Sequence, residues 1–134
     1  MLVNKRILVF LSLGLLSFTL ERRVKTACKE TFITTTISLL HNFGSIYLIF
    51  GSLLFGYYIF HLLCIIIVVF LWKLLGICII TQYYNNLCKI SKNRPFHDIF
   101  YLTNKKLKIP YFSYILAFCV ALYDIKKISE SDIM

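Results

Sequence analysis

The chain reads as an all-α integral membrane helical bundle, with two to four transmembrane helices and one interfacial amphipathic helix. Three observations predict that class. Residues 31–72 form a run of 42 without a single Asp, Glu, Lys or Arg. The composition is 59% hydrophobic and 16% aromatic, with a mean hydropathy of +0.77, well above the apolar share of a soluble domain. The charge is +9, from 15 Lys+Arg against 6 Asp+Glu, and the bases gather beside the apolar runs, as membrane orientation requires. At 134 residues the chain is a single membrane domain.

The elements follow in order. Lys5-Arg6 precedes residues 7–20, which carry no charge. This outline fits a signal peptide, but Ser17-Phe18-Thr19 is a weak cleavage site, so the segment reads as an uncleaved helix. Its length is ~21 Å at 1.5 Å per residue, short for a span. Residues 21–30 hold four bases and read as a solvated connector.

A span needs roughly 20 apolar residues, so the 42-residue run holds two. Gly51-Ser52 falls near its middle and predicts a hairpin of spans 31–50 and 53–72. Thr31, Thr34, Thr35 and Thr36 have hydroxyls that can bond back to the helix backbone. Gly44 and Ser45 offer a small-residue surface for close helix approach. Trp72-Lys73 reads as an interfacial anchor, with indole at headgroup level and ammonium outward.

Residues 77–90 are amphipathic at helical period. Ile79, Tyr83, Leu87, Ile80 and Tyr84 fill one half of the wheel; Cys78, Thr81, Asn85, Gln82 and Asn86 fill the other. Such a helix lies in the interface, or it covers the mouth of the bundle with its polar half turned inward. Residues 89–108 are the most basic segment, with Lys89, Lys92, Arg94, Lys105, Lys106 and Lys108 against Asp98. They form a lipid-facing patch suited to anionic headgroups. Pro110 suits the first turn of a last helix, which reads as span 110–123 with a polar tail behind it.

Counting bases sets the orientation. With four spans, Lys5, Arg6, Lys126 and Lys127 fall on one side and the other eleven on the cytoplasmic side. If the two end segments do not span, every base lies on one side. Charge alone satisfies both topologies.

The candidate site residues are of two kinds. His41 and His61 are ionisable groups inside the apolar run, where such groups are costly and find partners. With the turn at Gly51-Ser52 they lie ~15 Å and ~13 Å from it along their helices, and so at matching depth. An imidazole hydrogen-bonded across the helix pair is the first reading; a haem or redox site using both histidines, a proton relay, and a small channel lined by His41 are the alternatives. The second set is the polar signature Cys78, Thr81 and Asn85. Thr81 and Asn85, four apart, can share a hydrogen bond. The set reads as a cap on the preceding helix end, or as a reactive Cys78 with Lys73 nearby.

The order His41, Phe50-Gly51, His61, Trp72, then Cys78-x-x-Thr81-x-x-x-Asn85 resembles a family of small multi-spanning membrane proteins of unknown function. Those proteins carry a histidine in each of two consecutive spans and a Cys-Pro-Leu-Thr-x-x-Glu-Asn signature just beyond. The likeness covers roughly residues 38–123. Here Ile79 stands in place of the signature's proline and Tyr84 in place of its glutamate. The resemblance implies a multi-pass fold and a polar signature at a span end, and it implies no activity.

Five cysteines without a C-x-x-C pair give no disulfide framework. No hydrolase triad, phosphate-binding glycine loop or paired carboxylates appear, and no metal or cofactor is required. The six acids lie outside the apolar spans, which removes the usual carboxylate path of a proton pump. The expected partners are the lipid bilayer, anionic lipid and a second copy of the chain, with nucleic acid set aside because the bases flank spans. The expected role is that of a non-enzymatic structural or interaction protein with a basic cytoplasmic face.

Overall fold

The computed structural model describes residues 2–24, 29–76, 78–89 and 111–132. They form five helices and no strand: α1 (Leu2–Val24), α2 (Phe32–Phe55), α3 (Tyr58–Leu75), α4 (Ile79–Leu87) and α5 (Phe112–Asp132). The expected all-α architecture is borne out. α2 and α3 are each long and apolar enough to cross a membrane.

The hairpin turn lies later than Gly51-Ser52. α2 continues through both residues to Phe55, and Gly56, with φ 74, caps it in the left-handed region where L side chains are rare. The reason is local. Gly51 and Ser52 are buried inside the helix, and a Cβ built on Gly51 would stand 2.8 Å from the Tyr47 ring and 2.9 Å from His61 Cδ2. That glycine is there for close approach; Gly56 makes the turn. At the other end Thr31 and Thr34 form a reciprocal capping box, and Thr36 Oγ1 donates to the Phe32 carbonyl at 2.8 Å, as the threonine cluster predicts.

The two end helices run further than their apolar segments. α1 has 23 residues, ~34 Å, because it extends to Leu2 on one side and past Glu21 to Val24 on the other. α5 has 21 residues, ~32 Å, because the expected polar tail stays helical through Asp132. Each lies antiparallel to its neighbour. Phe10 meets Phe55 at 5.5 Å between ring centroids while Ser17 and Glu21 meet Asn42. On α5, Tyr114 meets Trp72 at 5.8 Å and Tyr123 meets Tyr58 at 6.2 Å. α1, α2, α3 and α5 therefore alternate in direction. One end gathers the start of α1, the Gly56 turn and the end of α5; the other gathers Glu30, Gly76, α4 and Tyr111.

Close approach is again a matter of glycine, but not of Gly44. That residue is exposed with nothing near its α-carbon. Gly14 of α1 is the contact: a Cβ there would overlap the Phe43 ring. Ser45, its expected companion, is buried as foreseen.

The interior is polar and the surface apolar. Ile46, Ile65 and Tyr84 are the buried hydrophobics among the described residues, against a longer set of buried polar groups that includes Asn42, His61, Asp124, Glu21 and Ser52. Leu8, Phe32, Leu40, Ile59, Ile67 and Phe118 are all more than half exposed. A water-soluble core shows the reverse.

Candidate functional site

The polar interior divides into two centres, one toward each end of the bundle. The first is built on His61, in the first turns of α3. Its Nδ1 lies 2.6 Å from Asp124 Oδ2, and its Nε2 lies 2.9 Å from the carbonyl oxygen of Tyr47. The side chains of His61 and Asp124 are both fully buried. The Tyr47 ring meets the imidazole edge-on at 5.2 Å between centroids. Asp124 Oδ1, the second carboxylate oxygen, has no hydrogen-bond partner among the described residues, and neither has Ser52 Oγ.

The second centre joins α1, α2 and α4. Asn42 is fully buried. Its Oδ1 accepts from Ser17, and its Nδ2 donates to the Glu21 carboxylate and, at 2.9 Å, to the Ser38 carbonyl. One turn away, His41 Nε2 stands 3.5 Å from Thr81 Oγ1. Glu21, His41, Thr81 and Tyr84 line one small recess. Cys78 is half-buried at the N-cap of α4 and makes no side-chain capping bond.

α4 reaches this position because Gly76, with φ 74, ends α3 and turns the chain back. Neither half of the wheel is buried as a whole: Gln82 and Asn86 of the polar half are exposed, and Tyr84 of the apolar half is buried. Thr81, Asn85 and Tyr84 are buried, while Ile79, Tyr83 and Leu87 face out.

Electrostatics differ between the groups of α4. Burial pushes the Cys78 thiol up, but nearby His41 and the amides of Thr81 and Ile80 outweigh it and hold the thiol below its ordinary value. Burial raises the Tyr84 phenol, and the nearby Glu21 and Glu30 charges raise it further.

His41 and His61 do not face each other. With the turn at Gly56, His41 lies ~22 Å from it and His61 ~8 Å, at 1.5 Å per residue. The shift of the turn separates them in depth. His41 pairs instead with Thr81 of the other candidate set. Asn85 belongs to the same buried face, but its Oδ1 has no partner among the described residues, so the expected Thr81–Asn85 bond is not made. Of the basic patch, Lys89 is exposed beyond α4 with φ 51. Lys92, Arg94, Lys105, Lys106, Lys108 and Pro110 lie outside the described residues. Cys64, Cys78 and Cys119 are free, whereas Cys88 is disulfide-bonded, against the expectation of no bridge.

Two functional residues escape the sequence reading: Glu21 and Asp124. Both were assigned to solvated segments, and both are buried against the hairpin at 2% and 0% exposure. The separation of the acids from the apolar spans is thereby corrected, since each sits one residue beyond an apolar segment on a helix that does not stop there. A signal was present. Gly14, Ser17 and Glu21 follow a 3-4 spacing that puts them on one face of α1, a small-polar-acidic stripe that marks an inward side. Among the described residues no group of three or more metal-ligating side chains assembles.

The chain has no match among protein-family models, curated proteins or solved structures.

Proposed function

We propose that this chain is a multi-pass integral membrane protein in which α1, α2, α3 and α5 cross the bilayer. Its role is that of a non-enzymatic structural or interaction component with a basic cytoplasmic face toward anionic lipid or a partner. The observation that carries the reading is the inverted distribution of polarity. Fully buried Asn42, His61 and Asp124 lie under a surface of exposed Leu, Ile and Phe, an arrangement whose favourable solvent is hydrocarbon.

The lengths agree with it. The hydrocarbon core is about 30 Å thick, and α1 and α5, too short as apolar segments, reach ~34 and ~32 Å as helices. The order of histidines and the Cys78-x-x-Thr81-x-x-x-Asn85 pattern resemble those of the small multi-spanning family, a likeness consistent with a multi-pass reading.

Of the alternatives, a haem held by both histidines is the least supported. Both ring nitrogens of His61 are engaged, by Asp124 and by the Tyr47 carbonyl, and the two histidines stand at different depths. A channel lined by His41 fares little better, because that ring turns toward α4.

Alkaline carbonate extraction of expressing membranes tests the placement. The full-length protein should stay in the pellet, and its release to the supernatant would refute integral insertion. Floatation of the reconstituted protein's basic face is read with vesicles of neutral and of phosphatidylserine-containing composition. Equal binding to both removes the anionic-lipid role.

A further inference from the structure

We infer that the His61–Asp124 pair is a proton-dependent latch, which locks the last turns of α5 onto the hairpin in mild acid and releases them as the pH rises. The closed pair has a fixed proton inventory. His61 Nε2 meets the Tyr47 carbonyl at 2.9 Å, and a carbonyl oxygen only accepts, so Nε2 carries a proton. Nδ1 lies 2.6 Å from Asp124 Oδ2, a separation at which two bare lone pairs repel, so a second proton lies between them. The closed pair therefore holds one proton more than neutral imidazole with carboxylate. That proton is the hold on the carboxylate, because Asp124 Oδ1 has no partner among the described residues.

The separated pair holds that proton only in acid. A hydrated imidazole ordinarily titrates at about 6.5 and a hydrated aspartate at about 3.9. Between those values the separated pair is imidazolium with carboxylate, and it binds as many protons as the closed one. Closure is then indifferent to pH, and the latch is at its strongest. Above about 6.5 the separated pair has lost the proton that closure requires, so the ratio of closed to open falls about tenfold for each further pH unit. The sign is that of a histidine gaining a carboxylate partner: its stabilisation is complete below the ordinary value and is lost as the pH rises.

Water reaches the pair from the Gly56 end. An open groove of ≈ 440 Å³ lies there, its walls including Gly56, Tyr57, Tyr58, Ile128 and Ser131. Tyr58 precedes His61 by three residues and Ile128 follows Asp124 by four, so the groove ends one turn above the pair on both helices. The titratable and charged groups around the pair are Tyr47 of α2, Tyr58 and Cys64 of α3, and Tyr123 and Lys127 of α5. Tyr47 meets the imidazole, Tyr58 meets Tyr123, and Lys127 is engaged by Glu130 at 2.7 Å. Thiols, phenols and ammonium groups ordinarily titrate at about 8.5 and above, so a transition that starts near the imidazole value belongs to the pair. The compartment that is sensed rests on the membrane placement proposed above; the proton count does not.

The test introduces Tyr57→Cys and Ser131→Cys, two exposed groove positions, into the full-length protein with its native cysteines replaced. Spin labels at the two sites report their separation by pulsed electron resonance in detergent micelles. From about pH 6 to about pH 9 a longer distance should appear beside the short one, its share relative to the short one growing about tenfold per unit, reversibly. Asp124→Asn needs no shared proton, because its amide donates to a bare Nδ1. That variant should show no pH dependence above about pH 7, and should open in acid instead, where the imidazole charges without a carboxylate. Lys127→Gln should leave the profile of the labelled parent in place. A distance distribution unchanged across the range overturns the latch. So does the parent profile persisting in Asp124→Asn, or its disappearance in Lys127→Gln. In sealed proteoliposomes, buffer changes on the Tyr57 side should move the distances, and a response to the opposite face alone overturns the groove as the route. Carbonate extraction is scored separately, so loss of the membrane placement is distinguishable from loss of the latch, which the micelle measurement reads by itself.

Discussion

His61 and Asp124 lie 63 residues apart in sequence and are joined by a 2.6 Å contact between Nδ1 and Oδ2. The Tyr47 carbonyl can only accept, so His61 Nε2 must carry the proton that it donates there. One further proton then lies between Nδ1 and the carboxylate, whichever atom holds it. The pair is neutral overall, as imidazolium with carboxylate or as imidazole with carboxylic acid, which makes its complete burial affordable in an apolar surround. The same three groups tie α5 to both arms of the hairpin.

Removing one partner should therefore cost more than removing both. Asp124→Ala is expected to destabilise the bundle by about 3 kcal/mol, because Nδ1 of the buried ring loses its partner. His61→Ala should cost a similar amount by stranding the carboxylate. A double-mutant cycle read by unfolding in mixed micelles should give a coupling of about 1–3 kcal/mol. Strict additivity would show that the contact contributes nothing specific.

The two glycines of α2 should respond in opposite ways. Gly51→Ala drives a methyl group to within 2.8 Å of Tyr47 and 2.9 Å of His61, and should destabilise by about 1–3 kcal/mol. Gly44→Ala meets open space and should be neutral or stabilising by up to about 1 kcal/mol, from helix propensity. Melting of the two variants side by side checks this; equal shifts would remove Gly51 as a packing site.

That pair also marks what the sequence could and could not convey. The charge-free run gave the hairpin, the threonines gave the start of α2, and the period of residues 77–90 gave the helix α4 but not the face that it buries, which takes Tyr84 from the apolar half and leaves Gln82 and Asn86 exposed. The turn was misplaced because a glycine that turns a chain and a glycine that admits a neighbour are identical as letters. Only the partner, here His61 on the opposite helix, tells them apart. Glu21 and Asp124 were lost for a related reason. Helix ends were taken where apolar residues stop, whereas the backbone hydrogen bonds of α1 and α5 continue and carry the acids onto buried faces. The meeting of His41 with Thr81 depended on the turn at Gly76, for which a single glycine is weak notice.

The Asn42 network offers a third test. Asn42→Leu removes the amide that Glu21, Ser17 and the Ser38 carbonyl share, and should cost about 2–3 kcal/mol as buried groups lose partners. Ser17→Ala should cost about 1 kcal/mol, one hydrogen bond. The Asn42→Leu, Glu21→Leu double variant should lose less than the sum of the two single losses, because the two share one contact. Strict additivity would remove that contact from the account.

The topology carries a prediction in which two physical rules oppose each other. Alternating helix directions put Glu30 and Lys89 at one end of the bundle, and Tyr57 and Ser131 at the other. All four residues are exposed, so single cysteines at these sites in a Cys-free background report the side directly. Glu30 and Lys89 should label from one face of sealed vesicles, Tyr57 and Ser131 from the opposite face. Ser131 labelling together with Lys89 would show that α5 does not cross. Eleven of fifteen bases flank the Glu30 end, which makes it cytoplasmic, yet Cys88 at that end is disulfide-bonded and reducing compartments keep thiols apart. Charge acts during insertion and a bridge forms only afterwards, so orientation should follow charge. In cells trapped with a membrane-permeant alkylating agent, wild-type Cys88 should then be recovered alkylated, as a reduced thiol. Recovery of Cys88 in its oxidised form, with Lys89 labelled from outside, would invert the protein in the membrane and place its basic face away from the cytoplasm.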